Sequence, residues 1–252
     1  MVGYFNATIF GPDDLALLKG GPSERRAFLD DLLVDMDPRL HTTRTNLERV
    51  LRQRNTLLRQ TGGQLTPGVS GSLDVWDNKL AELGEVLITA RQRLVDRLSP
   101  LVDDHLGVLS SGVSNASMTY KKSWSGSTLG AALNEARRDD VRRGTTTVGP
   151  HRDEVSITLD NLGARHHSSQ GEQRSLALAM RLAGHYLVVE DTGMRPVVLL
   201  DDVFSELDSD RSTALVALLP KAQAVLTSAA NLPPGVVADH WYRIAAGRVE
   251  AQ

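Results

Sequence analysis

The chain has 252 residues, 41% of them hydrophobic and 23% charged, with a formal net charge of -3. That composition describes a globular chain able to bury one large core or two modest ones, and it excludes the disordered and fibrous classes. No run of about 18 apolar residues is available to span a bilayer, and the opening MVGYFNATIF lacks the basic region and long apolar stretch of a secretory signal, so a cytoplasmic protein with no membrane partner is expected. Cysteine is absent, which removes thiol catalysis, disulfides and thiolate zinc sites, and seven histidines without ligand spacing give no argument for a metal cluster. Arginine carries most of the positive charge, with lysine only at Lys19, Lys79, Lys121, Lys122 and Lys221. Arginine suits bidentate phosphate contacts, although coding bias produces the same preference.

From Ser23 to about Gln60 the pattern predicts one long helix or a bent pair, started by Pro22 and broken at Asp37-Pro38. Phe28, Leu29, Leu32 and Leu33 form a first apolar stripe, and Leu40, Leu47, Val50, Leu51, Leu57 and Leu58 a second. The opposite face is expected to carry Arg44, Arg49, Arg52, Arg54 and Arg59, either as a solvated face or as a stripe that tracks phosphates. If solvated, these arginines would pair with Glu82, Glu85 or Asp96. The stretch TGGQLTPGVSG reads as a connector. A second helix is expected from about Leu73 to Leu109, antiparallel to the first, with Pro100 marking a kink or end.

Beyond Gly112 the texture changes to strand-like runs at 117–120 and 155–159 around a helical stretch at 129–143. The final third alternates helix 172–190, strand 197–201, helix 206–219, strand 224–227 and strand 241–244, as in an α/β layer. Residues 1–22 and 112–252 are therefore expected to form the α/β part, and 23–111 a helical insertion.

Two segments carry chemistry. In VVLLDDVFSELD, Val197 to Asp208, four apolar residues fit a strand buried on both faces, with two carboxylates at the end where open α/β sheets bind ligands. Asp201 suits Mg²⁺ held beside phosphate oxygens, and Asp202 is placed to orient or deprotonate water. A capping pair of aspartates before a helix reads the same residues structurally. In SSQGEQ, Ser168 to Gln173, hydroxyl residues and Gly171 precede an apolar-periodic helix, so Ser169 is either an anion contact beside exposed N–H groups or an N-cap. The two segments in this order are more specific than either alone.

Together, SSQGEQRSLALAMRLA and VVLLDDVFSELDSDR resemble the signature motif, Walker B strand and D-loop of an ABC-type ATPase head of the SMC-like kind. The segments GPDDLALLKGGPSERRAFLDDLL (Gly11 to Leu33), LERVLRQRNTLLR (Leu47 to Arg59) and GPHRDE (Gly149 to Glu154) narrow the resemblance to the RecF family of bacterial DNA replication and repair proteins, over nearly the whole chain. The fold this implies is α/β: an ABC-type, P-loop NTPase-like head, incomplete, with a long α-helical insertion subdomain. One departure is large. The chain contains no Gly-Lys pair, so the GxxxxGK[ST] phosphate loop is missing, and the sequence resembles the family without its N-terminal segment, by truncation or a late start.

The resemblance implies a dimer of heads sandwiching two ATP molecules with Mg²⁺. Asp201 falls at the Mg²⁺-side carboxylate and Asp202 at the water-polarising acid. Ser169, Gln170, Gly171 and Glu172 fall at the signature contacts made across the dimer, and Asp208 at the D-loop aspartate. Thr227-Ser228 sits where related ATPases place a γ-phosphate sensor, without the histidine. The implied activity is a weak DNA-dependent ATPase whose ATP-driven closure binds DNA. It would assist recombinase loading at single-strand gaps, with RecO and RecR as mediators, and the SOS response. Without the loop, the alternative is a non-ATP-binding interaction fragment that offers only its signature face or a weak DNA surface. An exposed edge, exposed core and poor solubility are further expectations.

Overall fold

A computed structural model describes residues 6–229 and 232–251. Strand β1 (Ala7–Phe10) leads through a 3-10 turn, Pro12–Leu15, into helices α1 (Ala16–Lys19), α2 (Pro22–Met36), α3 (Arg39–Gln60) and the 43-residue α4 (Pro67–Leu109). Then follow β2 (Ala116–Lys121), α5 (Leu129–Arg143), β3 (Glu154–Leu159), β4 (Leu162–Gly163), α6 (Ala164–His167) and α7 (Gln170–Thr192). The chain ends with β5 (Val197–Asp201), a 3-10 turn at Val203–Glu206, α8 (Ser209–Leu218), β6 (Ala224–Thr227), β7 (Tyr242–Ala245) and β8 (Arg248–Ala251). Within the opening ten residues Ala7–Phe10 form a strand; residues 1–5 lie outside the described residues.

β1, β5 and β6 form a parallel sheet in that order, and β2, β3 and β4 an antiparallel one. Phe10, Val198 and Leu200 point from the parallel sheet onto α7, whose Leu176, Ala177, Met180 and Ala183 are all buried. On the opposite sheet face, Ile9 (56% exposed), half-buried Leu199 and Val225 (53% exposed) are register neighbours, so β5 is not covered on both sides as expected. α4 packs on the far side of α7 and against α3, α5 and β2. One continuous core runs from Phe10 to Leu215 through the sheets, α2, α4 and α7.

The break at Asp37-Pro38 falls as expected. Pairs such as Leu58 with Leu73, and Arg54 with Asp77, run in opposite sequence directions, as antiparallel packing of α3 on α4 requires. α4 starts earlier than expected, because Thr66 caps it by accepting from the Val69 N–H and Pro67 takes the first helical position. It does not end at Pro100. The missing N–H and ring clash cost about 3 kcal/mol, and buried Leu94, Leu98, Val102 and Leu106 on either side outweigh that. The C-terminal part is also tied to β2: the Met118 N–H donates to Ser99 Oγ (2.9 Å) and the Ala116 N–H to Asp103 Oδ1 (2.7 Å). The last predicted strand does not join the main sheet; β7 pairs with β8 in a separate hairpin whose side chains are exposed.

The arginine face of α3 departs furthest from the expected solvated or phosphate-tracking stripe. Arg54 is fully buried, donating from Nε to Asp77 (2.6 Å) and from Nη1 to Asp140 (2.7 Å) and Thr146 (2.8 Å). Asp140 also accepts from the N–H and hydroxyl of Thr147, and Asp77 from Arg137 (2.6 Å). The helix turns Arg54 inward because α5 supplies a second carboxylate there. Arg44 pairs with Asp31 and Glu48, and Arg52 with Glu48, while Glu85 accepts from the Leu129 N–H. None of the ion pairs expected with Glu82, Glu85 or Asp96 is present among the described residues. Removing one partner of such a buried network strands the others. Arg54→Met should therefore lower the unfolding free energy by about 3–5 kcal/mol in urea titrations, and a loss below about 1 kcal/mol would make the network incidental.

GPHRDE is a joint between helices α2 and α4 and strand β3. Asp153 is fully buried and accepts from the Tyr120 hydroxyl (2.6 Å) and the Ser123 N–H (2.7 Å), while its carbonyl accepts from Arg26 (2.7 Å). Arg25 grips Glu154 through Nε and Nη2, and Arg91 reaches both Asp30 oxygens and the Pro150 carbonyl. Burial pushes His151 down to about 4. An unfolded histidine titrates higher, so the unfolded state binds the extra proton and stability falls as pH drops from about 6.5 to about 4. His151→Gln should flatten that dependence by about 3 kcal/mol relative to the parent, measured as urea midpoints across the window.

Candidate nucleotide site

β5 is the central strand of the parallel sheet, and its C-terminal end carries the two carboxylates. Asp201 is exposed and lies in register with Thr227 of β6, whose hydroxyl donates to Asp201 Oδ1 at 2.6 Å. Asp202 leaves the strand in the left-handed region (φ 48°, ψ 30°), which aspartate tolerates better than most side chains. Its N–H donates to the Thr227 carbonyl (3.1 Å) and its carboxylate accepts from the Ala229 N–H (3.4 Å). Ser205 closes the turn by donating its hydroxyl to the Asp202 carbonyl (2.9 Å). Thr227 thus braces the whole carboxylate turn.

The Ser168–Gln173 segment forms the start of α7. Ser169 is the N-cap: its Oγ accepts from the Glu172 N–H (3.3 Å), and Glu172 accepts in return from the Ser169 N–H (2.7 Å). This is a complete capping box. Gln170 is exposed. Gly171 faces Arg211 of α8, so that a Cβ built there would stand 2.4 Å from Nη1. Asp208 caps α8 by accepting from the Arg211 N–H (2.9 Å), which is why the expected helix 206–219 begins at Ser209. One turn further along α7, Arg174 pairs with Glu206 at 2.6 Å. The structure therefore gathers Asp201, Asp202 and Thr227 at one locus, and Gly171, Glu206, Asp208 and Arg211 at another. Arg174 lies in the segment 168–183 and Glu206 and Arg211 in the segment 197–211, yet nothing in the spacing shows that they meet.

A cavity of about 30 Å³ between these loci is lined by Gly11, Asp14, Arg174, Asp202 and Glu206, among others, and has room for water, not for a nucleotide. Asp14 accepts from the Gly11 N–H (3.0 Å) and Arg181 (2.7 Å); burial pushes its carboxyl above the usual range, with Arg181 opposing. Among the described residues no group of three or more His, Asp or Glu is arranged for a metal. Mg²⁺ commonly takes one or two protein carboxylates with phosphate and water oxygens, so Asp201 fits as a metal-side ligand without such a cluster.

The chain is 41% identical over 267 residues to the DNA replication and repair protein RecF of Streptomyces avermitilis, across 99% of this chain and 71% of that protein. Identity to the RecF of Frankia alni is 40%, with the same coverage. The chain belongs to the RecF family. No family model matches it. The solved structure of the recombination mediator protein RecF-ATPrS in the RecFOR pathway superposes with a TM-score of 0.86 at 29% identity, over 99% of this chain and 68% of that one. The corresponding RecF-ATP structure gives 0.85 at 28% identity, over 100% and 68%. The SmcHead bound to the C-winged helix domain of ScpA gives 0.52 at 14% identity, over 99% of this chain and 55% of that one, which establishes a shared head fold only. An ABC-type head with a long helical arm is therefore the fold of this RecF-family chain.

The capping box supports the start of α7 in its own right, separately from any nucleotide contact. Ser169→Ala should cost about 1 kcal/mol of stability with no nucleotide present, and Ser169→Asp should recover most of it, because aspartate caps as well as serine. Equal stability of all three chains in thermal melts would show that the box contributes nothing to α7.

Proposed function

We propose that the chain serves DNA replication and repair as a RecF-type, ATP-controlled head that dimerises on DNA. The observation that carries this reading is the Asp201–Thr227–Asp202 turn at the C-terminal ends of adjacent parallel strands, in a fold that superposes on RecF-ATPrS. Mg²⁺-nucleotide, when bound, would supply the phosphoanhydride to be cleaved. Asp201, fixed by the Thr227 hydroxyl, would hold the Mg²⁺ side, and Asp202 would orient the attacking water. Ser169, Gln170, Gly171 and Glu172 would face the phosphates of a partner protomer, and Asp208 would reach across the same interface. Residues 1–22 and 112–252 then act as the ATPase lobe and 23–111 as the arm. DNA at single-strand gaps, RecO- and RecR-type mediators and a cytoplasmic setting complete the reading. No helix among the described residues is long and apolar enough to cross a membrane.

A second reading is favoured by the lack of any Gly-Lys pair in the sequence. The backbone cradle and lysine that hold a polyphosphate have no counterpart, and two carboxylates alone repel one. In that reading the chain by itself is an interaction fragment that presents the signature face. Calorimetry separates the two. The chain alone should show no saturable Mg-ATP binding at micromolar nucleotide, and extension with the GxxxxGK[ST]-bearing segment of a RecF relative should create it. In the extended protein Asp202→Asn should keep ATP and slow hydrolysis, whereas Asp201→Asn should weaken the Mg²⁺ dependence of binding. Equal loss of binding in both variants would overturn the assigned roles.

A further inference from the structure

Two arginines bridge the start of α7 and the loop that follows the carboxylates, Arg174 by an ion pair and Arg211 by packing against Gly171. Gly171 sits in the first turn of a helix at an ordinary helical φ, where alanine would be the better helix former. The guanidinium of Arg211 is seated on it: an added Cβ would stand 2.4 Å from Arg211 Nη1, 3.5 Å from Cζ and 3.7 Å from Nη2, so the arginine end would have to move aside. Asp208 holds the same arginine from behind, with Nε 3.5 Å from Oδ2. The positive end of a helix dipole is a poor place for a guanidinium, and Asp208 offsets that cost. Arg174 provides the second tie, an ion pair that brings its Nε to 2.6 Å from Glu206 Oε2 without hydrogen-bond alignment. The loop between is anchored, with Phe204 buried in the core and its carbonyl accepting from the Leu207 N–H.

We propose that Arg174 and Arg211 are positioning residues that clamp the Ser169–Glu172 turn to the Glu206–Asp208 loop. The face offered to a partner protomer and the loop following this protomer's own carboxylates then move as one body. The functional meaning of the clamp rests on the head reading above. Its mechanical content does not, and can be measured in this chain without nucleotide.

Hydrogen exchange of the intact chain is the test. Arg211→Ala should accelerate exchange about two- to fivefold in both segments 169–175 and 203–208, while the global urea midpoint stays in place. Gly171→Ala should mimic it, because the new methyl displaces the mobile end of Arg211, and the double variant should be no worse than either single one. For the second tie, Arg174→Glu should loosen both segments and Glu206→Arg in the same chain should restore them. Acceleration confined to one segment, or additive effects of Gly171→Ala and Arg211→Ala, would overturn the clamp. In the extended, ATP-binding protein, Arg211→Ala should reduce ATP-dependent dimerisation severalfold at unchanged monomer affinity for Mg-ATP. If the extended protein binds no ATP, the head reading fails, and the exchange result still decides the clamp.

Discussion

α7 is apolar around most of its circumference, and a helix of that kind cannot lie at a surface. Leu176, Met180, Leu182 and Ala183 have no exposure, so the parallel sheet must cover one side and α4 with α2 the other. The rest of the architecture follows from that enclosure. The N-terminal turn of α7 emerges beside the C-terminal ends of the strands it packs on, so the packing of the core sets where the signature turn meets the carboxylate loop. Arg97 secures the other end from α4, gripping Asp191 at 2.7 Å.

The preference for arginine over lysine also finds its reason inside the molecule. Arg25 on Glu154, Arg91 on Asp30 and Arg54 between Asp77 and Asp140 each use several nitrogens of one planar guanidinium at once, and Arg137 reaches Asp74 and Asp77 from Nη2 while Nη1 donates to Ser70. A lysine ammonium has no fixed fork with which to span two carboxylates. Most of these contacts join segments far apart in sequence, so they fix α2, α3 and α4 to one another and to α5 and β3 as well as neutralising buried charge. Phosphate recognition is not needed to explain these residues.

Helix breaks, strand runs and the order of motifs were legible because they are local. The stop at Asp37-Pro38, the helix 129–143 and the strand ending in Asp201-Asp202 need only period, proline and turn chemistry. What stayed hidden depended on distant partners. Arg54 looked like its exposed neighbours Arg52 and Arg59 until α5 brought Asp140 to it, and Pro100 left a kink or an end open because the apolar contacts that carry α4 past it come from other elements. At the site, the residue types at Ser169, Asp201, Asp202 and Asp208 were readable, but their present partners were not. The capping box needs only a spacing of three and could have been seen in Ser169 and Glu172. The seat of Arg211 on Gly171 has no sequence signal.

The two bonds from α4 to β2 bear on what this surface can recruit. β2 is the outer strand of its sheet, and an outer strand with free amides is a template for another chain. Here Ser99 and Asp103 already occupy the outward N–H groups of Met118 and Ala116. An incoming β-strand would have to displace a hydroxyl and a carboxylate that a long helix holds in place, so strand addition is opposed at Ala116 and Met118.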